Sequence, residues 1–538
     1  MEALAAMSHN NPNWLTKYPA EIFFGINGPK LDAYAVALEG WRRGLTLKWH
    51  SKDTPAFQKM KTWYVDRPGQ LFSLADQEKE HFFFRTRGDL VSNEAVEIGA
   101  DKGITKTYLE KENIPTPKGK TFSTKDSDQE IMNYAQELGF PLVIKPTDDS
   151  FGRGITANIA NETEFIETLK YTRGEQGYEH IIVEKHAIGE DYRLYVVGDQ
   201  VVSAVRRKPP FLIGDGQTTI KKLIKRKNKQ RLKNPHLASR LIKIDREVIE
   251  LLNRSGYTLK SIPKKNEQIY LRAKSNLSAG GDAHEKLEQI TGTIKSIAVA
   301  AVKAIPGLSH GGVDLLIDED NNSAVVIELN ATAHIGSALF PGEGKAKDIP
   351  SAIIDYYFPE SAKLRQASPI IYFPYKEKLG LLANQSLQSI TVLEPPVGEL
   401  EKTIYHLKGK VTSRRYHSKI KKWAKAQKNL SGYLTKKSRG EIEVVVVTND
   451  QQTLAQFEAL LKTAGDHVVI DKQTNADQTK PIKVGFSIMS KSKTLRRLKQ
   501  KRYQYQFIRV TLTGFEKISY IFQAKLISNL FRRKRDEV

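Results

Sequence analysis

The sequence predicts a mixed α/β and α+β protein built from several domains. The chain has 538 residues, more than one compact core usually holds. Strand-like and helix-like stretches alternate from about Asn93 to Pro359, and after Pro359 they follow a different order. A composition of 40% hydrophobic and 27% charged residues is typical of globular proteins.

These changes of pattern divide the chain into five predicted segments. They are an N-terminal α/β subdomain (1–92), a central α/β domain (93–360), a linker (361–399), a C-terminal α+β domain (400–490) and a basic extension (491–538). In the first segment EIFFGIN indicates a strand, GPKLDAYAVALEGWRRG a helix and LTLKWH a second strand. The turn GINGPK lacks the G-x-G-x-x-G spacing of a dinucleotide-binding fingerprint.

Composition excludes several classes of chemistry and favours anionic partners. The chain has no cysteine, which excludes disulfides, cysteine-based zinc sites and thiol catalysis. It has no apolar run of about 20 residues, so no membrane span is expected. No basic segment followed by an apolar core opens the sequence, so we expect a cytoplasmic protein. The net charge is +23, with basic runs at Lys221–Lys233 and from Lys491 onward.

One predicted hairpin carries acids on strands that otherwise look buried. The stretch HGGVDLLIDEDNNSAVVIELNATAHIG starts at His310 and contains Asp314, Glu328 and Asn330. Strand side chains alternate between faces, so Glu328 and Asn330 point the same way, and antiparallel pairing would bring Asp314 there too. Such oxygens suit Mg²⁺ or Mn²⁺ bridging phosphates. Acids on the solvated face of an edge hairpin would give the same pattern.

Two more stretches carry residues that suit a nucleotide. In VIKPTDDSFGRGIT a strand ends at Lys145, and a loop with Gly152 and Gly154 follows, where backbone N–H groups can approach phosphate oxygens. In HIIVEKHAIGEDYRLYVVGDQVVSAVRRKPP, Glu184 ends a strand, which suits the amino group of adenine. Arg193, Arg206 and Arg207 alternate with apolar positions in the same stretch. Surface salt bridges would also account for these arginines.

Taken in order, these stretches resemble the ATP-grasp superfamily over about 93–359. Within it, the chain is most similar to the ATP-grasp domain of cyanophycin synthetases and bifunctional glutathione synthetases. The likeness lies in RLYVVGDQVVSAVRRKPPFLIGDGQTTIKKLI, YTLKSIPKKNEQIYLRAKSNLSAGGDA and HGGVDLLI. No Mur-ligase-like domain with a P-loop is visible, and residues 1–92, which would be a pre-ATP-grasp subdomain, are too few for a glutamate–cysteine ligase domain. The resemblance therefore does not identify the substrates.

The resemblance implies ATP as a substrate and Mg²⁺ or Mn²⁺ as the cofactor. For ATP, it assigns Lys102 and Lys145 to the phosphates, Gly152, Arg153 and Gly154 to the loop that covers them, Glu184 to adenine and Asp191 to the ribose. It assigns Arg207 and Arg272 to catalysis, and Arg193, Asn276 and Ser278 to the substrate. The implied metal ligands are Asp314, Glu328 and Asn330.

The implied reaction joins a carboxylate to an amine. ATP phosphorylates the carboxylate, and the amine displaces phosphate from the resulting acyl-phosphate. The expected substrate is an amino acid, a peptide or an acidic polymer, and nucleic acid is not the expected partner. A homo-oligomer is one expectation, since many relatives are oligomers. Two alternatives stay open: an ATP-binding regulatory protein without turnover, and an anionic-polymer-binding protein that uses the basic segments.

The C-terminal domain resembles a degenerate acylphosphatase domain of ferredoxin-like topology. GKVTSRRYHSKIKKWA, LSGYLTKKSRGEIEVVV, QQTLAQFEALLKTA and VGFSI follow the β-α-β-β-α-β order of that family. His417 stands where the family has a phosphate-binding arginine, and Lys436 where it has a water-positioning asparagine. We therefore expect an inactive basic domain, or one that binds an anion through Arg414, Arg415, His417 and Lys436. We interpret the basic extension either as a charged, solvent-exposed terminal segment or as a segment that contacts an acidic polymer or anionic lipid.

Overall fold

The computed structural model describes residues 13–65, 67–148, 153–365, 371–383, 387–474 and 480–489. The basic extension 491–538 and Gly152 lie outside the described residues. The described residues fall into two compact units, one within 1–400 and 477–484 and the other within 401–476 and 485–489.

The helices, in chain order, are α1 (Ala20–Phe23), α2 (Pro29–Arg42), α3 (Pro55–Gln58), α4 (Asn93–Ala100), α5 (Lys102–Lys111), α6 (Asp128–Leu138), α7 (Glu162–Leu169), α8 (Ile220–Arg231), α9 (Arg246–Arg254), α10 (Gly292–Lys303), α11 (Gly336–Leu339), α12 (Ile349–Tyr357), α13 (Tyr375–Ala383), α14 (Arg414–Ala426) and α15 (Gln451–Thr463).

The strands are β1 (Thr46–His50), β2 (Leu71–Ala75), β3 (Glu80–Phe84), β4 (Arg87–Gly88), β5 (Gly119–Phe122), β6 (Leu142–Pro146), β7 (Thr156–Ile159), β8 (Ile181–Lys185), β9 (Glu190–Val197), β10 (Gln200–Lys208), β11 (Phe211–Ile213), β12 (Gln268–Tyr270), β13 (Asp282–Glu285), β14 (His310–Asp318), β15 (Ser323–Asn330), β16 (Ile371–Tyr372), β17 (Ser389–Thr391), β18 (Glu401–Lys408), β19 (Leu430–Ser438), β20 (Glu441–Thr448), β21 (Val469–Thr474), β22 (Ile482–Lys483) and β23 (Phe486–Met489).

The N-terminal part of the first unit is built around α2, which is buried along most of its length. This helix packs against α12 and against a sheet of order β17-β1-β2-β3-β4. The predicted strand EIFFGIN is wrong, because this stretch contains the helix α1. Ile22, Phe23 and Ile26 are buried while Phe24 is 58% exposed, a spacing that fits a helix turn better than alternation.

Residues 361–399, expected to be a linker, contribute three elements to the first unit. Strand β17 pairs with β1 and closes one edge of the N-terminal sheet. Strand β16 pairs in parallel with β22, which comes from much later in the chain. Helix α13 lies between these strands in sequence, and its Tyr375 and Leu379 belong to the core around α2.

Two sheets form the central part of the first unit. One has the order β5-β8-β6-β7 and packs against α6 and α7 around Ile131, Ile144 and Val183. The other has the order β13-β10-β9-β14-β15 and packs against α4 and α10. The predicted strands FPLVIKP and HIIVEKH and the predicted helix IKSIAVAAVKAI are confirmed as β6, β8 and α10.

An excursion between β10 and β13 forms a small substructure with its own core. It contains α8, α9 and the β11–β12 pair, and its buried residues include Leu223, Ile224, Val248 and Leu252. The basic run Lys221–Lys233 lies mostly on α8.

The second unit contains one sheet of order β21-β18-β20-β19-β23, with α14 and α15 contributing to its core. Its elements follow the β-α-β-β-α-β order, and β23 is added in parallel to β19. The resemblance to acylphosphatase stays a prediction. In the part of the chain that the structure describes, helices are too short or too polar to pass through a bilayer.

Candidate active site

Strands β14 and β15 form an antiparallel hairpin that brings two acids together. Asp314 lies directly opposite Glu328, and Asn330 shares the face of Glu328 because it follows two residues later. The register shifts just after this pair, leaving Ile327 as an extra residue, a β-bulge of the kind often found beside functional sites. The neighbouring Val313 belongs to the core on the opposite face. The three predicted metal ligands therefore lie on one face of the hairpin.

Two arginines compensate the charge of Asp314, which is 7% exposed. Arg193 donates from Nε and Nη2 to the two carboxylate oxygens, at 2.6 and 2.7 Å. Nη2 of Arg207 lies 3.1 Å from Oδ2 of the same carboxylate. Burial alone would raise the pKa of Asp314, but the guanidinium groups of Arg193 and Arg207 hold that pKa below its usual range. Asp314 is therefore ionised at neutral pH, beside two cations.

Arg207 also joins Asp314 to a second acid. Its Nε and Nη2 donate to Oδ1 of Asp191 at 2.8 and 2.5 Å. The hydroxyl of Ser275 donates to the other oxygen of Asp191. Burial lowers the pKa of Arg207, but Asp314 and Asp191 raise it above its ordinary value. We refer to Asp191, Arg193, Arg207 and Asp314 as the acid–arginine cluster.

The residues around the cluster fit a divalent cation bound together with phosphate. Glu328 and Asn330 are half-buried, and Nδ2 of Asn330 donates to Oε1 of Glu328 at 3.2 Å. Across the described ranges, no three His, Cys, Asp or Glu side chains converge as a complete metal cage. Mg²⁺ commonly uses one or two carboxylates and takes its other oxygens from phosphate and water. Two carboxylates and an amide oxygen are therefore a suitable set.

A second group of predicted residues lies in the β5-β8-β6-β7 sheet. Nζ of Lys145 on β6 lies 2.5 Å from Oε1 of Glu184 on β8, and the two side chains are only 5% and 6% exposed. The backbone N–H of Lys102, the first residue of α5, donates to the carbonyl of Thr147 just beyond β6. The structure therefore brings Lys102, Lys145 and Glu184 to one region of this sheet.

The predicted phosphate-covering loop is described only from Arg153 onward. Gly154 has a φ of +65°, and a Cβ atom there would lie 2.8 Å from the ring of Tyr178. Both the left-handed backbone and the close ring require glycine at this position.

Arg272 is not joined to the acid–arginine cluster. Its guanidinium contacts the carboxylates of Asp245 and Glu247 at the start of α9, and its Nε donates to the carbonyl of Ala279 at 3.1 Å. Asp245 and Glu247 lie more than 20 residues before Arg272 and in a different element, so the motif around Arg272 gave no sign of them. In this structure the predicted catalytic arginine instead links α9 to the turn at Ala279.

The turn after Arg272 contacts Asp191 of the acid–arginine cluster and Ile155, which follows the predicted covering loop. Oδ1 of Asn276 accepts a hydrogen bond from the backbone N–H of Ser278 at 2.8 Å, and Ser278 is exposed. Lys274 donates to the carbonyl of Ile155 at 3.5 Å, while Ser275 donates to Asp191. The sequence singled out this stretch but not Ser275, because a serine in a polar loop carries no distinguishing pattern.

Comparisons with known proteins find a family model and several relatives that are similar to this region. Residues 99–211 match the model of the RimK-like ATP-grasp domain. A cyanophycin synthetase from Trichormus variabilis is 35% identical over 271 residues, covering 49% of this chain and 30% of that protein. A glutathione biosynthesis bifunctional protein from Clostridium perfringens is 32% identical over 304 residues, covering 55% of this chain and 38% of that protein.

Among solved structures, a bifunctional glutathione synthetase from Pasteurella multocida is 27% identical, with a TM-score of 0.44 and coverage of 54% of this chain and 41% of that one. The prediction of an ATP-grasp domain is confirmed by the family match. The chain spans about a third of the length of the two curated relatives.

Proposed function

We propose that this protein is an ATP- and Mg²⁺-dependent ligase that joins a carboxylate to an amine through an acyl-phosphate. The observation that carries the proposal is the cross-strand pair of Asp314 and Glu328, with Asn330 on the same face. This set lies in a chain with an ATP-grasp domain and beside Arg193 and Arg207. Two like charges placed opposite each other destabilise a hairpin unless cations offset them. A metal–phosphate site would account for that arrangement.

The proposed reaction needs charge stabilisation more than covalent work from the protein. The γ-phosphoryl group of ATP moves to the carboxylate, and the amine then displaces phosphate to form an amide or peptide bond. Bound Mg²⁺, held by Asp314, Glu328 and Asn330, would neutralise charge on the phosphate oxygens. Arg207 would stabilise the transferring group, because its position between Asp191 and Asp314 keeps a cation at the site.

Nucleotide binding would use the group around β6 and β8. Lys102 and Lys145 would contact phosphates, and Glu184 would contact adenine. Because Lys145 and Glu184 pair with each other here, ATP would replace that contact with two of its own. Arg153 and Gly154 would belong to the covering loop together with Gly152, which lies outside the described residues.

The roles proposed for Asp191 and Arg272 require these side chains to exchange their present hydrogen bonds for contacts with the ligand. Asp191, proposed to bind the ribose, already accepts hydrogen bonds from Arg207 and Ser275. Arg272 would have to leave Asp245 and Glu247 to reach a phosphoryl group. Of the two proposed catalytic arginines, Arg207 therefore has the better support.

The proposed substrates are an amino acid, a peptide or an acidic polymer. A net charge of +23 supports an anionic substrate, as do the exposed Lys221, Lys222, Lys225 and Lys229 of α8. Arg193, Asn276 and Ser278 are the proposed substrate contacts. A cytoplasmic location is proposed because a chain without cysteine that uses ATP suits a reducing compartment.

The test measures phosphate release from ATP and Mg²⁺ with pools of amino acids, dipeptides and acidic polymers. Hydroxylamine traps an acyl-phosphate as a hydroxamate, which identifies the carboxylate. Glu328→Gln should lower both signals by about 100-fold or more, because a metal-stabilised step contributes several kcal/mol. Asp320→Asn, in the exposed turn of the same hairpin, is the matched control and should retain wild-type rates.

Two results would contradict the proposed ligase activity and favour another function. ATP binding without phosphate release in every pool would favour a regulatory ATP-binding protein. Salt-sensitive binding of an acidic polymer that ATP does not affect would favour an anionic-polymer-binding protein.

A further inference from the structure

A second polar pair lies beside the hairpin, and its two residues are too far apart in the chain for a motif to indicate it. Nδ1 of His334 lies 2.5 Å from Oδ2 of Asp32 on α2. The other oxygen of Asp32 accepts the backbone N–H groups of Ile335 and Gly336 at 3.1 and 3.2 Å. The side chain of Asp32 is 2% exposed, and that of His334 is 32% exposed. A buried carboxylate with three hydrogen bonds therefore fixes a partly exposed imidazole.

This arrangement determines how His334 can act. A carboxylate only accepts hydrogen bonds, so Nδ1 of the neutral ring carries the proton and Nε2 keeps its lone pair. Nε2 forms no hydrogen bond with any residue that the structure describes. The exposed nitrogen is thus a proton acceptor of fixed orientation.

The loop that carries His334 lies against the acid–arginine cluster. A Cβ atom built on Gly312 would lie 2.6 Å from Cβ of Ala333 and 3.5 Å from Nε of Arg193. Ala333 and Arg193 thus both lie close to the same glycine. His334 follows Asn330 by only four residues, which span at most about 14 Å.

The other titratable groups around the pair do not compete for this role. His236 is 3% exposed, and burial, with help from Arg240, lowers its pKa well below the ordinary value, so it is neutral. Its ring lies against Gly336, away from solvent. Arg85 and Arg240 are cations that interact with Asp32, and neither can accept a proton. His334 is the partly exposed base of this group.

We propose that His334 is the general base that takes a proton from the attacking amine, with Asp32 as its positioning residue. The inference rests on the proposed function. The nitrogen lone pair forms the C–N bond to the acyl carbon, and the C–O bond to phosphate breaks. That bond's electron pair leaves with inorganic phosphate, and the N–H proton moves to Nε2 of His334.

The test compares two nucleophiles on the carboxylate that gives a hydroxamate in the pooled assay. Hydroxylamine is largely unprotonated at neutral pH, whereas the amino acids in the pool must lose an ammonium proton. In His334→Gln, hydroxamate formation should stay within about twofold of wild type. The rate of amino-acid ligation should fall roughly 100- to 1,000-fold, which is the decrease expected when a general base is removed. The decrease should appear in kcat rather than in KM.

The variant Asp32→Asn distinguishes the positioning of the His334 ring from the support that Asp32 gives to the backbone of the loop. The amide can still accept the N–H groups of Ile335 and Gly336, but its NH₂ group opposes the required tautomer of His334. We expect a selective loss of amino-acid ligation with a nearly unchanged melting temperature. His406→Gln, in the second unit, is the control for a histidine outside the site and should behave as wild type.

The outcomes separate this inference from the proposed function. A wild-type protein that gives no hydroxamate in any pool overturns both. Hydroxamate formation by the wild type, together with wild-type amino-acid ligation by His334→Gln, overturns only the role of His334. An equal loss of both reactions in His334→Gln, with a lowered melting temperature, shows a purely structural histidine and also overturns it.

Discussion

At the scale of single residues, the acid–arginine cluster should make metal binding depend on ATP. Both oxygens of Asp314 already accept hydrogen bonds from Arg193, and Arg207 lies beside one of them. Phosphate offers these arginines another anionic partner and releases Asp314 for the metal. Mn²⁺, followed by electron paramagnetic resonance, should bind about tenfold more tightly in the presence of a non-hydrolysable ATP analogue.

Arg193→Gln provides the matched comparison. With one competing cation removed, this variant should bind Mn²⁺ better without nucleotide and show a smaller effect of the analogue. Equal Mn²⁺ affinity with and without the analogue in the wild type would contradict the dependence.

Gly312 tests how tightly the loop after β15 packs. In Gly312→Ala the new methyl group would lie 2.6 Å from Cβ of Ala333 and 3.4 Å from Cδ of Arg193. We expect a loss of about 1–3 kcal/mol in the free energy of unfolding, measured by denaturant titration. Gly292→Ala, where nothing lies within 4 Å, is the control and should be close to neutral. Equal stability of the two variants would show that the loop can move aside.

Sequence reasoning at this scale succeeded where the relation is local. Glu328 and Asn330 share a face because strand side chains alternate, and the observed pairing adds Asp314. Their role as metal ligands stays a prediction. The contact of Arg193 with Asp314 spans 121 residues, and that of Asp32 with His334 spans 302. No periodicity or motif links positions so far apart.

At the scale of elements, the substructure between β10 and β13 depends on one acid. Asp282 on β13 pairs with both Lys227 and Arg231 of α8, and all three side chains are largely buried. Asp282→Ala would leave two buried cations without their carboxylate and should reduce stability by roughly 3 kcal/mol. Limited proteolysis should then cut within residues 209–272 first.

The control for that prediction is Lys225→Ala, which removes an exposed cation from the same helix. It should leave the cleavage pattern unchanged. Equal protease resistance of Asp282→Ala and the wild type would mean that the apolar core of this substructure is sufficient.

The longer buried strands could be predicted from the sequence, whereas the shortest strands and helices could not. Strands β6 and β8 were predicted because continuous apolar runs bounded by turns indicate buried strands. Strands β16 and β17 have only two and three residues, too few to display a period. The error at α1 arose because a four-residue helix is too short for its apolar residues to show a helical period, and a short apolar run also fits a buried strand.

At the scale of the whole molecule, the first unit should lose stability in acid. Glu39 is buried between Lys17 and Arg43, at 2.7 and 2.8 Å. Burial raises the pKa of Glu39, but the two cations lower it to about 2 from an ordinary value of 4.5. Because the folded pKa is below the unfolded one, this stabilisation is present above about pH 4.5 and is lost as the pH falls toward 2.

Calorimetry at pH 7, 5 and 3 would measure this effect. The melting temperature should change little from pH 7 to 5 and fall at pH 3. Glu39→Gln should melt lower at pH 7 and show a smaller fall at pH 3. An identical pH dependence in the variant would assign the acid sensitivity to other groups.

The order in which the chain builds its two units has a genetic consequence. Strand β22, near residue 482, completes a pair with β16 in the first unit, yet residues 401–476 of the second unit precede it. No single cut therefore separates the chain into two complete halves. A premature stop codon anywhere in the second unit before β22 would also remove a strand from the unit that contains the candidate active site. Nonsense alleles within the codons for residues 401–481 should therefore lower the stability of the first unit, most of which lies upstream of the stop.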